Sequence, residues 1–126
     1  MHWFSVGVAV AAAAAIIGLG VMYLLVPSTI MRSFGLPLPD DDANVASWLR
    51  LKGSRDIASG LVVFAMVAWG EPRLLGIVLA ILALIPFGDM AVVLAARGST
   101  RTALGVHGLT ATLMILAAVP LITGVT

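Results

Sequence analysis

From Trp3 to Val26 the chain carries no aspartate, glutamate, lysine or arginine, and Pro27 is the first break. An apolar run of that length suits one crossing of the hydrocarbon layer, which takes about 20 helical residues at about 1.5 Å each. Inside lipid every backbone N–H and C=O must be satisfied, so only a helix or a closed barrel can make the crossing. A secretory leader is a poor match, because the run lacks a basic flank and far exceeds the roughly 7 to 15 apolar residues of such a signal. Three further stretches qualify as spans, at about Trp48 to Trp69, Pro72 to Ala96 and Thr102 to Ile122. The expected fold is an all-α membrane protein, a four transmembrane helix bundle with up-down-up-down order, built as one domain over residues 1–126.

Composition removes several function classes. The chain is 61% hydrophobic and 10% charged, against roughly 25% charged in soluble domains. A net charge of +1 without a basic tract offers no footprint for nucleic acid, and the lack of cysteine excludes disulfides and thiolate metal sites. Trp48 and Trp69 bracket the second span and Trp3 opens the first, as interfacial tryptophans do. Arg32, Arg50, Arg97 and Arg101 flank the first and third connections, whereas the second has Arg73 beside Glu71. The expected location is therefore a bacterial cytoplasmic membrane with both termini outside. In the longest connection, a short interfacial turn is expected around Ile30 to Phe34, and Asp40, Asp41 and Asp42 suit the start of a helix. No internal repeat of the kind found in inverted-repeat transporters is evident.

The chemistry-bearing residues lie within the spans. Lys52, Arg55, Asp56 and Ser59 recur at spacings of three and four along one side of the second helix. The third helix carries Asp89 shortly after Pro86, and the fourth carries His107 followed by Thr110. Counted from the expected cytoplasmic ends, Arg55, Asp56, Asp89 and His107 all lie roughly 9 to 12 Å deep. A lone charge there costs at least about 2.5 kcal/mol, so these groups should face the bundle interior and pair. The expected pairs are Arg55 with Asp56 or Asp89, and His107 with the other aspartate. A structural network that sets helix register is the alternative.

Two carboxylates in different environments, one beside a guanidinium, can act as acid and base. With a histidine in an apolar cavity, such a set could protonate an epoxide, alkene or carbonyl oxygen while abstracting a proton or activating water. Arg55, Asp56, Asp89 and His107 are the expected catalytic residues, and Lys52, Ser59, Thr110 and Tyr23 the expected substrate contacts. No cofactor and no metal are expected; Asp, Asp and His could hold a divalent ion, but a guanidinium in the same layer opposes it. Arg50 and Lys52 are shallow enough to extend to the headgroups instead, and Tyr23 suits an interfacial anchor as well as a substrate contact. Gly18, Gly20, Gly53, Gly60, Gly105 and Gly108 permit close helix approach. Pro86 removes a backbone donor just before Asp89 and predicts a kink.

The segments KGSRDIASG at Lys52 to Gly60, PFGD at Pro86 to Asp89, VHG at Val106 to Gly108, and MRSFGLP after the first helix resemble the small membrane proteins grouped as domain-of-unknown-function family 4267. The likeness covers nearly the whole chain. It implies four membrane helices in which the positions of Arg55, Asp56, Asp89 and His107 recur, and it implies no reaction.

Three functions remain open on the sequence. The first is an intramembrane acid-base enzyme, an isomerase, cyclase or epoxide-opening hydrolase, acting on a lipophilic small molecule within the lipid bilayer. The second is a proton-coupled carrier working as a homo-oligomer, since buried carboxylates and histidine also form proton relays; the small multidrug transporters place an acidic residue in the first helix, and this chain has none there. The third is a non-catalytic membrane subunit.

Overall fold

A computed structural model of the chain describes residues 2–40 and 43–125, so the expected role of Asp41 and Asp42 at a helix start lies outside the described residues. All regular elements among the described residues are helical. Helix α1 spans Trp3–Leu25, and a short α2 (Pro27–Ile30) runs into a tight turn at Met31–Ser33, where the interfacial turn was expected. Helix α3 spans Ala43–Trp69 and ends at Gly70, whose φ of +80° only glycine adopts readily. Glu71 then caps α4 (Pro72–Leu82), its carboxylate accepting from the N–H groups of Arg73 and Leu74 at 3.1 and 2.6 Å.

Helix α5 (Leu84–Ala95) continues α4 past an interruption at Ala83. Pro86 explains its place: without an N–H it leaves the carbonyl one turn back, at Leu82, lacking its usual donor. The interruption thus falls a turn ahead of the proline. Ser99 caps α6 (Thr100–Thr102) by accepting from the Thr102 N–H at 3.2 Å. A π-helical stretch, Ala103–Gly108, leads into α7 (Leu109–Thr123).

Among the described residues, three stretches are long and apolar enough to cross a membrane: Trp3–Leu25, Pro72–Ala95 and Thr100–Thr123, with mean hydropathies of 2.4, 2.5 and 1.8. Helix α3 is the longest, at 27 residues, and falls outside this set because Arg50, Lys52, Arg55 and Asp56 crowd its first half. It also begins before Trp48, ahead of the expected span, as a helix that starts before the membrane does. Trp3, Trp48 and Trp69 are all exposed.

Packing relies on small residues, as expected where lipid tails remove the hydrophobic drive between helices and close van der Waals contact must replace it. A β-carbon on Gly20 would come within 2.7 Å of the Gly53 carbonyl, and one on Gly53 within 2.6 Å of the Gly20 carbonyl. Farther along the same pair of helices, Gly60 sits against Ala13 and Ile17. Gly76 of α4 packs likewise on Ala118 and Leu121 of α7. The core between the helices is filled by Ala9, Ala13, Val63, Leu79, Met114 and Ala117. Gly108 touches Met90, but Gly18 and Gly105 face open space and take no part in the close packing predicted for them.

The connection after α2 is fastened to the far side of the molecule. The Ser99 N–H donates to the Gly35 carbonyl at 2.7 Å, and Gly98 lies so close to that carbonyl that a side chain there would collide with it. Gly35, with φ of +100°, packs against Thr102. This anchor holds Phe34 at the mouth of the bundle.

Candidate functional site

Helix direction decides which polar side chains of α3 turn inward. Gly53, Asp56, Gly60 and Val63 are its buried residues, at the alternating three-and-four spacing of a helix seam. Lys52 stands one residue before Gly53 and one turn before Asp56, so its flexible stem can bend to the seam. Its ammonium donates to Asp56 Oδ2 at 2.6 Å. The same nitrogen lies 4.4 Å from the Tyr23 ring centre and 5.3 Å from that of Phe34, distances at which an aromatic face attracts a cation. Lys52 therefore occupies the place expected for Arg55. Arg55 points away from the seam and is exposed, and among the described residues it makes no ion pair.

On the opposite side, the π-helical stretch carries His107. The wider turn changes the direction of the side chain relative to a plain α-helix, and such insertions recur at functional sites. His107 is buried. Its Nε2 is 2.9 Å from the Phe34 carbonyl oxygen and its ring rests on the Phe34 ring, with centroids 4.5 Å apart. A carbonyl can only accept, so Nε2 carries the hydrogen, which leaves Nδ1 of the neutral ring with a free lone pair. That Nδ1 faces Asp89 Oδ2 at 4.0 Å. The expected pairing of His107 with an aspartate is met by Asp89 in geometry, at a distance longer than a hydrogen bond.

Between these groups lies an open groove of ≈ 670 Å³. Its polar lining is Tyr23, Lys52 and Asp89; its apolar wall includes Phe34, Leu49 and Val92, and the segment from Leu36 to Pro39 runs along it. The volume suits a drug-sized apolar molecule. Asp56 and His107 stand behind the lining, where they hold Lys52 and face Asp89. Tyr23 is only 3% exposed, which makes it a wall of the site and not an interfacial anchor. Its hydroxyl has no hydrogen-bond partner among the described residues.

Ser59 and Thr110 do not join the cluster. Their hydroxyls donate to the carbonyls of Arg55 and Val106 on their own helices, at 2.9 and 2.7 Å, the usual recourse of a hydroxyl in an apolar setting. Arg50, expected to extend to the headgroups, donates from Nε to the Leu24 carbonyl at 3.2 Å and so closes the end of α1. No group of three His, Asp or Glu side chains among the described residues could hold a metal ion. The guanidinium that was to oppose such an ion lies elsewhere.

Sequence reasoning missed Phe34, which supplies both the carbonyl for His107 and a ring beside Lys52. Its signals were its place in the MRSFGLP segment and just before Gly35, whose backbone turn brings it inward. No curated protein and no solved structure matches the chain. A family model, however, matches residues 13–121, a stretch that includes Tyr23, Lys52, Asp56, Asp89 and His107. The chain belongs to the family described as Domain of unknown function (DUF4267).

Proposed function

We propose that this protein is a small intramembrane acid-base enzyme, an isomerase, cyclase or epoxide-opening hydrolase, whose substrate is a lipophilic metabolite. The observation that carries this reading is that Tyr23, Lys52 and Asp89, which come from three different helices, all line one open apolar groove. In it, Asp89 is the base. It takes a proton from carbon or from water, and the free lone pair of His107 Nδ1 can accept that proton in turn. The Tyr23 hydroxyl and the Lys52 ammonium are the donors available to a carbonyl, epoxide oxygen or alkene on the other side. Arg55 has no part in the chemistry, Asp56 is a positioning residue, and His107 is the proton acceptor behind Asp89.

The reading includes α3 as a fourth membrane span. Its charges are accommodated inwardly by the Lys52–Asp56 pair, and its exposed Arg55 can extend toward the nearer headgroups. Gly20 against Gly53 and Gly60 against Ala13 mean that α1 and α3 run in opposite directions; Gly76 against Leu121 and Met90 against Gly108 mean the same for α4–α5 and α7. The site then lies at the arginine-rich, cytoplasmic end.

A specific feature disfavours a carrier. Among the described residues, no ionisable side chain lies between the layer of Asp56, Asp89 and His107 and the opposite end at Glu71 and Arg73. A proton relay would stop halfway.

The test is untargeted. Wild type and Asp89→Asn, reconstituted in lipid discs, are incubated in D2O with a lipid extract of the source cells, and the extracts are compared by mass spectrometry. A species consumed, converted or deuterated by wild type and not by the variant supports the enzyme. Identical profiles from both would remove it.

A further inference from the structure

Seven residues of the chain are lysine or arginine, and six of these are arginine: Arg32, Arg50, Arg55, Arg73, Arg97 and Arg101. All six are exposed. Lys52 is the sole lysine, and among the lysine and arginine side chains it is the one drawn inward, onto a buried aspartate and into the groove lining. For an ion pair alone, arginine would serve at least as well, since its guanidinium pairs carboxylates with two parallel hydrogen bonds and stacks on aromatic rings. What lysine offers and arginine does not is a nucleophilic amine.

We propose that the groove binds a lipophilic aldehyde or ketone covalently, as a protonated imine on Lys52 Nζ with Asp56 as its counter-ion. The inference rests on the reading of the groove as a ligand site and adds the substrate's functional group. The geometry meets each requirement. Asp56 Oδ2, at 2.6 Å, takes a proton from the ammonium and frees the nitrogen lone pair. The amine adds to the carbonyl carbon; the carbonyl oxygen leaves as water, and the proton held by Asp56 returns to the imine nitrogen. Ammonium and carbonyl thus become iminium and water, with no oxidant or reductant. The iminium keeps the positive charge where the carboxylate and the rings of Tyr23 and Phe34 already favour a cation. An iminium also acidifies the adjacent C–H, and Asp89 lines the same groove.

The experiment uses the full chain in detergent, decanal and sodium cyanoborohydride, read by intact mass and peptide mapping. The expected result is one reduced adduct per chain on the peptide containing Lys52, and its loss in Lys52→Arg, a variant that keeps the charge and whose monodispersity and thermal melting report its fold. All-trans-retinal serves as a chromophoric second probe: wild type should give the red-shifted absorbance of a protonated imine, and Asp56→Asn should form the adduct more slowly and without that shift. Modification of the N-terminal amine alone, or no adduct, overturns the imine. Turnover of a lipid species without a trapped adduct overturns the imine and leaves the acid-base reading intact; an adduct with no turnover supports the imine and counts against that reading.

Discussion

Lys52 and Arg55 differ by three positions and by everything that matters to a charge in a membrane. Asp56 is buried and its carboxylate is the near partner of the Lys52 ammonium, so Asp56→Ala should strand a half-buried cation and lower stability by about 1–3 kcal/mol. Arg55 makes no ion pair among the described residues, and Arg55→Ala should stay within about 0.5 kcal/mol. Thermal melting of the two variants in the same detergent checks both; equal losses would mean that Arg55 is engaged in a way its exposure denies. His107→Ala should likewise cost about 1–3 kcal/mol by leaving the Phe34 carbonyl unpaired, read as a lower melting temperature. If His107 only holds the fold, any activity of that variant will track the amount of folded protein; a larger loss marks a part in proton transfer. Most of this site was legible in the sequence: Asp56, Asp89 and His107 were placed in one layer by depth alone. Arg55 was placed there too but turns away; depth says nothing about direction around a helix. Gly53 and Gly60 carried that information, since Arg55 lies roughly 120° from the centre of the face they share with Asp56 and Val63.

Helices show the same division between what local chemistry dictates and what only the assembled bundle decides. Hydropathy, Pro27, Gly70 and the Glu71–Pro72 cap set the ends of α1, α3 and α4 within a few residues of expectation. The interruption at Ala83 follows from Pro86, whereas the π-helical stretch was beyond pattern reading, because a π turn leaves no compositional mark and arises where packing asks the helix to shift its face. Glycine was half legible: its presence marks permission for close approach, while the neighbour that uses the permission lies on another helix. Gly53→Ala puts a β-carbon against the Gly20 carbonyl and the Tyr23 side chain, backbone on one side and the groove wall on the other, and should cost about 1–3 kcal/mol through overpacking. Gly18→Ala, facing open space one helix away, should be neutral or slightly stabilising through helix propensity alone. Melting curves that move equally for the two would break the link between α1–α3 contact and these glycines.

At the scale of the whole molecule, all the arginines but Arg55 and Arg73 lie in the turn after α1, in the first residues of α3 or at the α5–α6 corner. The contacts that join those three places, Arg50 on Leu24, Ser99 on Gly35 and His107 on Phe34, make that end of the protein both the basic end and the mouth of the groove. Under the proposed orientation, with the arginine-rich end inside, the groove would open at the cytoplasmic face and a lipophilic substrate would enter at headgroup depth from the inner leaflet. Absence of native cysteine makes this open to a background-free test. Gly70→Cys sits in the connection between α3 and α4, where a side chain would meet open space although the φ of +80° is unfavourable to it; Glu71→Cys, one residue on, keeps the loop backbone at the cost of a helix cap. Arg101→Cys samples the other end from an exposed position in α6. In intact cells an impermeant maleimide should label the cysteine at residue 70 or 71 and spare the one at residue 101, and lysis should make both reactive. Labelling at both ends in intact cells would deny the span through α4–α5, because the two connections would then share one side. Labelling only at residue 101 would invert the protein and turn the groove outward, which would require a substrate delivered from outside the cell.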